Sequence, residues 1–365
     1  MASPPIGIPP TAPIVSKEEV PAGPSSSSGA AGGVFAPVTN LYNRLQGWRQ
    51  SLDLPNPGSV ENIQKEVKST LLNNFFFDGA RADLTKALSM NPQFQVTHSF
   101  MLGSQTMPPS YNFGAVYATE KTLLQGGVDN EGSLNGRLHQ NWSASNLSKI
   151  QLQLSSTPGH SVMQAEHDYL GRDYSVNLRA ANPSPADFTG IYTASVLQSV
   201  TKSIAVGVEA MLQRPQPGLS DVGLQYYAKY TSPVFNKDQG WIASAMVQPQ
   251  GMVDLTYYQK LSEKLDFAAQ LQVVNVPQRR DAIATLGAKW DLRMSTFRAQ
   301  LDSSGKVSAL LEQRFAPSFA FLFSGEIDHF KNSAKVGVGV MIESAAMTPE
   351  EMGMVPPPGY PYPPQ

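Results

Sequence analysis

Between Gly79 and Glu343 the sequence alternates apolar and polar residues with a period of two, in segments of roughly ten residues separated by turns rich in Pro and Gly. In residues 203–212, for example, Ile204 and Val206 share one face of an extended chain, and Glu209 lies on the other. Soluble sandwich strands are usually about five or six residues long, whereas a tilted strand needs about ten to cross a bilayer. The pattern therefore predicts a transmembrane β-barrel with one face toward lipid and one toward water.

A barrel is also the only membrane architecture that the sequence permits. No run approaches the roughly 18 consecutive apolar residues of a membrane-spanning helix. Counting the alternating segments predicts about nineteen strands, nearly all of them antiparallel. The segment from His160 to Leu170 is ambiguous, because Glu166 and Asp168 fall on the same side as Val162, and we expect a bulge or register shift there.

Composition divides the chain into four parts. Residues 1–57 are rich in Pro, Ser, Gly and Ala and predict a mobile arm, in which residues 41–52 have the spacing of a short amphipathic helix. Residues 58–76 predict a second helix, and residues 77–344 predict the barrel. Residues 345–365 are rich in Met and Pro and predict an irregular tail.

The predicted second helix begins after the Pro57-Gly58 pair, with Ser59 as a plausible N-cap. Its apolar residues recur at helical spacing, so they share one face, and charged residues fill the other. The residues predicted on the apolar face are Val60, Ile63, Val67 and Leu71.

Charge and residue types argue against several functions. The net charge of -2 leaves no basic surplus for nucleic acid. The chain has no cysteine, and its five histidines lack the spacing of a metal site. Motifs of nucleotide binding or of a hydrolase nucleophile are absent, and so are the features of a secretory signal or a matrix presequence. The sequence therefore predicts no enzyme, no metal and no cofactor.

Two stretches carry a resemblance to a known family. NPGSVENIQKEVKSTLLNNFFFDGARADLTKALSMNPQFQVTHSFMLGSQ lies after the arm, and LDSSGKVSALLEQRF followed by GEIDHFKN lies near the C-terminus. The chain resembles the channel-forming subunit of the TOM complex, the translocase of the outer mitochondrial membrane, from about Pro57 to Glu343. The resemblance implies a barrel of nineteen strands whose first and last strands pair in parallel. It also implies that the helix over Ser59 to about Asn74 lies inside the pore.

The same resemblance implies a function and a set of partners. The channel would carry unfolded, nuclear-encoded preproteins with basic presequences from the cytosol toward the intermembrane space, and both tails would face that space. Expected partners are a central receptor subunit, small single-helix subunits, phospholipid and a second copy of the chain. Candidate contacts for single-helix partners on the outer face are Gln259, Gln313 and the segment near Pro249.

The final strand resembles a sorting signal with the pattern polar, any residue, Gly, two of any residue, hydrophobic, any residue, hydrophobic. The residues that fit are Lys335, Gly337, Val340 and Ile342. An edge strand with unpaired backbone groups suits templated insertion by strand addition, and glycine lets another backbone approach.

Parity along the strands predicts which side chains face the lumen. Acidic patches there would attract basic presequences through many weak contacts, which is what transport without stalling requires. The acids proposed for this path are Asp129, Glu131, Glu209, Asp254, Glu326 and Asp328. Further inward acids are Asp291, Glu312 and Glu343, and the inward bases include Arg137, Arg179, Lys229 and Lys289.

Alternatives remain open from the sequence alone. Taken singly, each lumen acid fits a solvated wall residue better than a path residue, and only as a group do the acids indicate a path. Inward Leu310, Leu322 and Met341 suit either a track for hydrophobic precursors or packing against the internal helix. As a whole, the chain could instead be a metabolite pore of the voltage-dependent anion channel type, or a soluble all-β binding protein. The anion channel would need a predominantly basic lumen, which this mildly acidic chain lacks.

Overall fold

A computed structural model gives the fold, and it describes seven ranges of the chain. These ranges are residues 54–104, 108–157, 159–184, 187–232, 240–276, 279–316 and 318–344. The predicted arm helix near residues 41–52 and the predicted tail over residues 345–365 lie outside them.

Nineteen strands form one closed sheet. They are β1 Gly79–Met90, β2 Gln93–Leu102, β3 Ser110–Ala118, β4 Thr122–Asp129, β5 Leu134–Ser143, β6 Asn146–Leu154, β7 Val162–Leu170, β8 Tyr174–Ala181, β9 Gly190–Ser199, β10 Ile204–Gln216, β11 Leu219–Thr231, β12 Trp241–Gln248, β13 Met252–Ser262, β14 Leu265–Val276, β15 Arg279–Asp291, β16 Ser295–Asp302, β17 Lys306–Ala316, β18 Phe319–Asp328 and β19 Ser333–Ser344. The prediction of about nineteen strands is confirmed.

Each strand pairs with its sequence neighbours in antiparallel fashion, and β1 closes the barrel against β19 in parallel. The parallel register runs from Gly79 opposite Gly337 to Lys86 opposite Ser344. An odd number of alternating strands makes the first and last run in the same direction, so closure must be parallel. This confirms the closure that the family resemblance implies, and closure leaves no free sheet edge.

The wall follows the period-two alternation. Val206 and Val208 are exposed on the outer face, and Glu209 faces the lumen beside Tyr227. The ambiguous segment behaves as an ordinary strand, since β7 pairs with β6 and β8 without a register shift. The expected bulge is therefore absent from β7, and its acids Glu166 and Asp168 are buried on the lumen side.

The barrel has two rims. Successive strand connections alternate between them, so each rim can be identified from the strands that it connects. The first rim holds the starts of β1 and β19 and the connections that follow even-numbered strands, such as β4 to β5. The second rim holds the connections that follow odd-numbered strands, such as β7 to β8, and the end of β19 at Ser344.

Inside the barrel, residues 55–78 form an internal segment that is less helical than predicted. A 3-10 turn covers Val60–Asn62 and a single helix, α1, covers Lys65–Thr70, whereas the sequence predicted one helix from Ser59 to about Asn74. The side chain of Ser59 makes no capping hydrogen bond to the backbone of the turn. Short isolated helices are marginal, and here contacts with the wall override helical spacing at both ends. Within the described ranges, no helix is long and apolar enough to cross a bilayer.

Candidate functional site: the lumen and its internal segment

The internal segment crosses the lumen from the second rim to the neighbourhood of the first. At the second rim Ser199 donates its hydroxyl to the carbonyl of Pro55 at 2.7 Å, and Asn56 donates to the carbonyl of Gly171. At the other end Ser324 donates its hydroxyl to the carbonyl of Phe77. These bonds satisfy main-chain groups that lie outside regular secondary structure.

Apolar contacts hold the helical part of the segment against the wall. The four residues predicted to share one helical face all pack there: Ile63, Val67 and Leu71 are buried, and Val60 is half-buried. Ile63 packs in a cluster with wall residues Leu197, Ala205 and Tyr227. Val67 and Leu71 pack in a second cluster with Ile242, Tyr258 and Ala268.

The end of the segment packs against inward apolar residues of the last strands. Leu72 and Phe77 form a buried cluster with Leu310 and Leu322, and Met341 packs against it. The sequence left two readings for these wall residues, a track for precursors or packing on the internal element. In this structure they pack on the internal segment.

Glycines give the segment room at two places on the wall. A Cβ at Gly287 would lie 2.5 Å from Cδ2 of Leu71. At Gly337 it would lie 2.5 Å from the carbonyl oxygen of Phe77 and 2.3 Å from Oγ of Ser324. Real Cβ contacts are never that close, so a side chain at position 337 would displace the backbone of the segment at Phe77, and one at position 287 would force the Leu71 side chain to move.

A cluster of charges joins the segment to the wall at β6 and β7. The ammonium of Lys149 lies 2.7 Å from Glu61 on the segment, 2.8 Å from Asp168 and 3.2 Å from Glu166. Arg179 lies 3.6 Å from Glu166. Glu166 and Asp168 are only 7% and 3% exposed, so Lys149 and its neighbours must compensate two buried carboxylates.

The sequence pattern did not predict this cluster as a site. Asn177 completes it by donating to both Glu166 and Asp168. The signal was present in the alternation, because Lys149 shares parity with the polar Gln151 and Gln153 of β6. No sequence pattern paired that lysine with Glu61, since the contact joins residues 88 positions apart.

Neutral side chains also tie the segment to the wall. Gln64 donates to Asp254 at 3.2 Å, and Gln270 donates to the same carboxylate at 3.1 Å. The backbone N–H of Leu72 donates to Gln300 at 2.8 Å.

The structure distributes the six predicted path acids unevenly. Asp129 and Asp328 end β4 and β18 at the first rim, and Glu326 faces the lumen nearby. Glu131 lies in the turn after β4, so it is not on a strand of the wall as parity predicted. Asp254 lies near the first rim but is bound by Gln64, and Glu209 accepts a hydrogen bond from Tyr227 at 3.1 Å.

The four residues predicted to form a sorting signal fall on both faces of β19. Lys335 and Gly337 face the lumen, opposite Glu326 and Ser324 of β18, whereas Val340 and Ile342 face outward. Gly337 also makes room for Phe77 of the internal segment, a contact that the sequence did not indicate.

Within the described ranges, no group of three or more possible ligands is arranged to hold a metal ion. The chemistry of the lumen is that of carboxylates, amides, hydroxyls and cationic side chains lining a pore. Such a surface binds and guides a solute by weak contacts.

Comparison with known proteins places the chain in a family. The family model described as eukaryotic porin matches residues 56–337. The mitochondrial import receptor subunit TOM40 of Saccharomyces cerevisiae is 41% identical over 331 residues, covering 84% of this chain and 83% of the relative. The mitochondrial import receptor subunit tom40 of Neurospora crassa is 37% identical over 332 residues, covering 87% and 92%.

The similarity extends beyond fungi. The mitochondrial import receptor subunit TOM40 homolog 2 of Drosophila melanogaster is 32% identical over 319 residues, covering 83% of this chain and 88% of the relative. The match thus includes the internal segment and nearly all of the barrel. The chain belongs to the eukaryotic porin family, and within it to the group of the TOM40 import receptor subunits.

Proposed function

We propose that this protein is the protein-conducting channel of the mitochondrial outer membrane, importing unfolded nuclear-encoded preproteins from the cytosol toward the intermembrane space. The observation that carries the proposal is similarity along 83% to 92% of relatives named as mitochondrial import receptor subunits. A closed barrel with a polar lumen supplies the physical route. The fold is that of a porin, and we propose no catalytic role.

The alternative of a metabolite pore is disfavoured. The relatives carry the name of import receptor subunits and not that of an anion channel. The lumen also holds acids as well as bases, since Glu326 stands opposite Lys335 and Asp291 is paired with Lys289. An anion-selective pore needs a predominantly basic wall.

Basic presequences are the precursor class that the first rim suits best. Asp129, Asp328, Glu326 and Asp254 all lie toward that rim, where their summed potential would attract a basic amphipathic helix. Of these, Glu326 is the most available, because its one recorded bond is a weak contact with Ser308 at 3.3 Å. Asp328 instead accepts hydrogen bonds from the backbone N–H groups of Phe330 and Lys331, and so stabilises the turn that follows β18.

The test is a paired import assay in mitochondria that carry Asp129→Asn and Glu326→Gln together. Import of precursors with basic presequences should slow, and that of precursors without presequences should slow less. The difference should shrink in about 1 M salt, where the Debye length is about 3 Å. Glu343→Gln at the second rim is the matched control. Equal losses for both precursor classes, with assembly intact on native gels, would contradict an acidic path.

The tails are proposed to face the intermembrane space. The proposal is supported by the described residues next to each tail, since Pro55 lies at the second rim through its bond with Ser199, and β19 ends at the same rim. An epitope placed after residue 365 should resist protease in intact mitochondria and become sensitive once the outer membrane is ruptured. Cleavage in intact mitochondria would contradict this orientation.

Partner subunits are proposed to dock on the outer face together with phospholipid and a second copy of the chain. Gln259 lies outward and accepts a hydrogen bond from Tyr257, and Gln313 lies outward on β17. Photo-crosslinkers at these positions and near Pro249 should capture a receptor subunit, single-helix subunits or a second barrel. Capture of lipid alone would contradict protein docking there.

The last strand is proposed to carry the signal for insertion. Replacing outward Val340 and Ile342 with charged residues should block assembly, since lipid-face charges cost roughly 2 to 4 kcal/mol at the bilayer midplane. A substitution at Gly337 does not test the sorting signal by itself, because any side chain there would also overlap the carbonyl oxygen of Phe77. Normal assembly of the Val340 and Ile342 variants, followed on native gels, would remove the sorting assignment.

A further inference from the structure

One wall of the lumen carries unpaired amide side chains in a single register row. Gln95 of β2 lies in register with Val116, which lies opposite Gln125 of β4. The row continues through Arg137 to Gln151 of β6 and Gln164 of β7. We call Gln95, Gln125, Gln151 and Gln164 the amide row.

The amide row faces the lumen. Gln151 lies two residues from Lys149, and Gln164 lies two residues from Glu166, so each shares a face with its neighbour. Lys149 contacts Glu61 of the internal segment, which fixes that face as the inner one. Asn135 and Gln153 stand opposite each other in the adjacent register row and add two more amides to the same surface.

These amides are free in the described part of the chain. None of the six side chains makes a hydrogen bond there, although each carboxamide offers two donors and one acceptor oxygen. Amides on the opposite wall are engaged: Gln270 binds Asp254, and Gln300 binds both Leu72 and Asn73. The difference lies in the internal segment, whose polar bonds within the described ranges reach β6, β8, β9, β13, β16 and β18 but none of β2 to β5.

The amides themselves carry no charge. Arg137 lies in register between Gln125 and Gln151, and the ion-paired Lys149 and Glu166 lie two residues from Gln151 and Gln164. The uncharged carboxamides do not discriminate between basic and acidic segments. A carboxamide matches a peptide group in its donors and acceptors, so it can exchange water for the main chain of an extended polypeptide with a small net free energy.

We propose that the amide row and the adjacent Asn135 and Gln153 form a contact surface for the main chain of extended polypeptides in transit, independent of their charge. The inference rests on the proposed function of the channel and adds a second class of contact to it. An unfolded chain exposes unpaired N–H and C=O groups along its whole length. Many weak amide contacts hold such a chain near the wall without stalling it, as conduction requires.

The first test is photo-crosslinking to arrested precursors, with the probe placed singly at positions 95, 125, 151 and 164. All four positions should capture precursors with and without basic presequences in similar yield, and about 1 M salt should not change the yield. Probes at outward Leu152 and Ala165, neighbours of Gln151 and Gln164, serve as controls and should capture no precursor. Capture at Glu326 without capture at the amide row would overturn the inference and leave the proposed function standing. No capture at any lumen position during active import would overturn both.

The second test separates hydrogen bonding from space filling. Replacing all four row residues with Leu should slow import of both precursor classes by a similar factor, roughly two- to tenfold. Replacing them with Asn keeps the carboxamides and should restore most of the rate. Replacing Gln125 and Gln151 with Glu should favour basic presequences and make import sensitive to salt. Unchanged import in the assembled Leu variant, with assembly checked on native gels, would overturn the inference.

Discussion

Two parts of the barrel wall differ in what their inner side chains bind. We call β8 to β19 the covered half and β2 to β5 the open half. From β8 to β19 the inner face packs on the internal segment, with buried apolar clusters at Ile63, at Leu71 and at Phe77. From β2 to β5 the inner face has no recorded bond with that segment, and amides such as Gln95 and Gln125 stay unpaired among the described residues. The charge cluster at Lys149 lies on the border between the halves.

The difference shows that one barrel wall combines two kinds of surface under the same strand pattern. Both halves alternate with a period of two, and both face lipid on the outside. On the covered half the inner residues stabilise a fixed segment, as a protein core does. On the open half none of the inner side chains bonds to the internal segment within the described ranges, so these side chains border the lumen.

The largest expected effect comes from the border between the halves. Lys149→Met should lower the free energy of unfolding in detergent by about 3 to 5 kcal/mol, because it leaves Glu166 and Asp168 buried without their main counter-charge. The matched control is Arg137→Met on the neighbouring strand, where the inward guanidinium has no ion pair among the described residues. Thermal unfolding of the two purified variants gives the comparison. Similar losses for both would mean that the cluster does not anchor the segment.

A smaller effect on the free energy of unfolding is expected at Gly337, where the absence of a side chain leaves room for the internal segment. Gly337→Ala should cost about 1 to 3 kcal/mol, because its Cβ would overlap the carbonyl oxygen of Phe77. Gly325→Ala on adjacent β18 is the matched control, since a Cβ there meets no atom within 4 Å. Protease sensitivity of residues 55–78 in the folded barrel should rise in the first variant only. Equal behaviour of both would indicate that the segment adjusts without loss of contact.

Sequence pattern predicted the barrel well because alternation is a local property. Each strand of about ten residues carries its own evidence, so errors of two residues at an end did not change the number of strands. Parity also assigned the inner face correctly for Arg179, which lies beside Glu166 in the lumen. Residue types alone therefore determine most of the architecture.

The internal segment was harder to predict, because its conformation depends on distant wall residues. Helical spacing over residues 59–74 indicated one helix, yet the wall contacts of Leu72 and Phe77 require a different path after α1. Likewise, parity indicated that Glu326 and Asp254 face inward. It could not indicate that the Asp254 carboxylate accepts a hydrogen bond from Gln64. The internal segment covers one part of the wall through packing between residues far apart in the sequence, and the pattern of a single strand does not contain that information.

The smallest expected effect concerns single hydrogen bonds on the two halves. Ser175 of β8 is buried and donates its hydroxyl to the carbonyl of Gly58 at 2.6 Å, whereas inward Ser99 of β2 has no hydrogen bond from its side chain within the described ranges. Ser175→Ala should cost about 0.5 to 1.5 kcal/mol, since it leaves the Gly58 carbonyl without that donor. Ser99→Ala should change the free energy of unfolding by less, because the lumen hydroxyl exchanges only with water. The measurement is denaturant unfolding of both variants in the same detergent, with hydrogen exchange near Gly58 as a local readout. Faster exchange in Ser175→Ala alone would place the bond on the covered half as argued. An equal cost at Ser99 would mean that the open half is held by contacts of its own, and the contrast between the halves would fail.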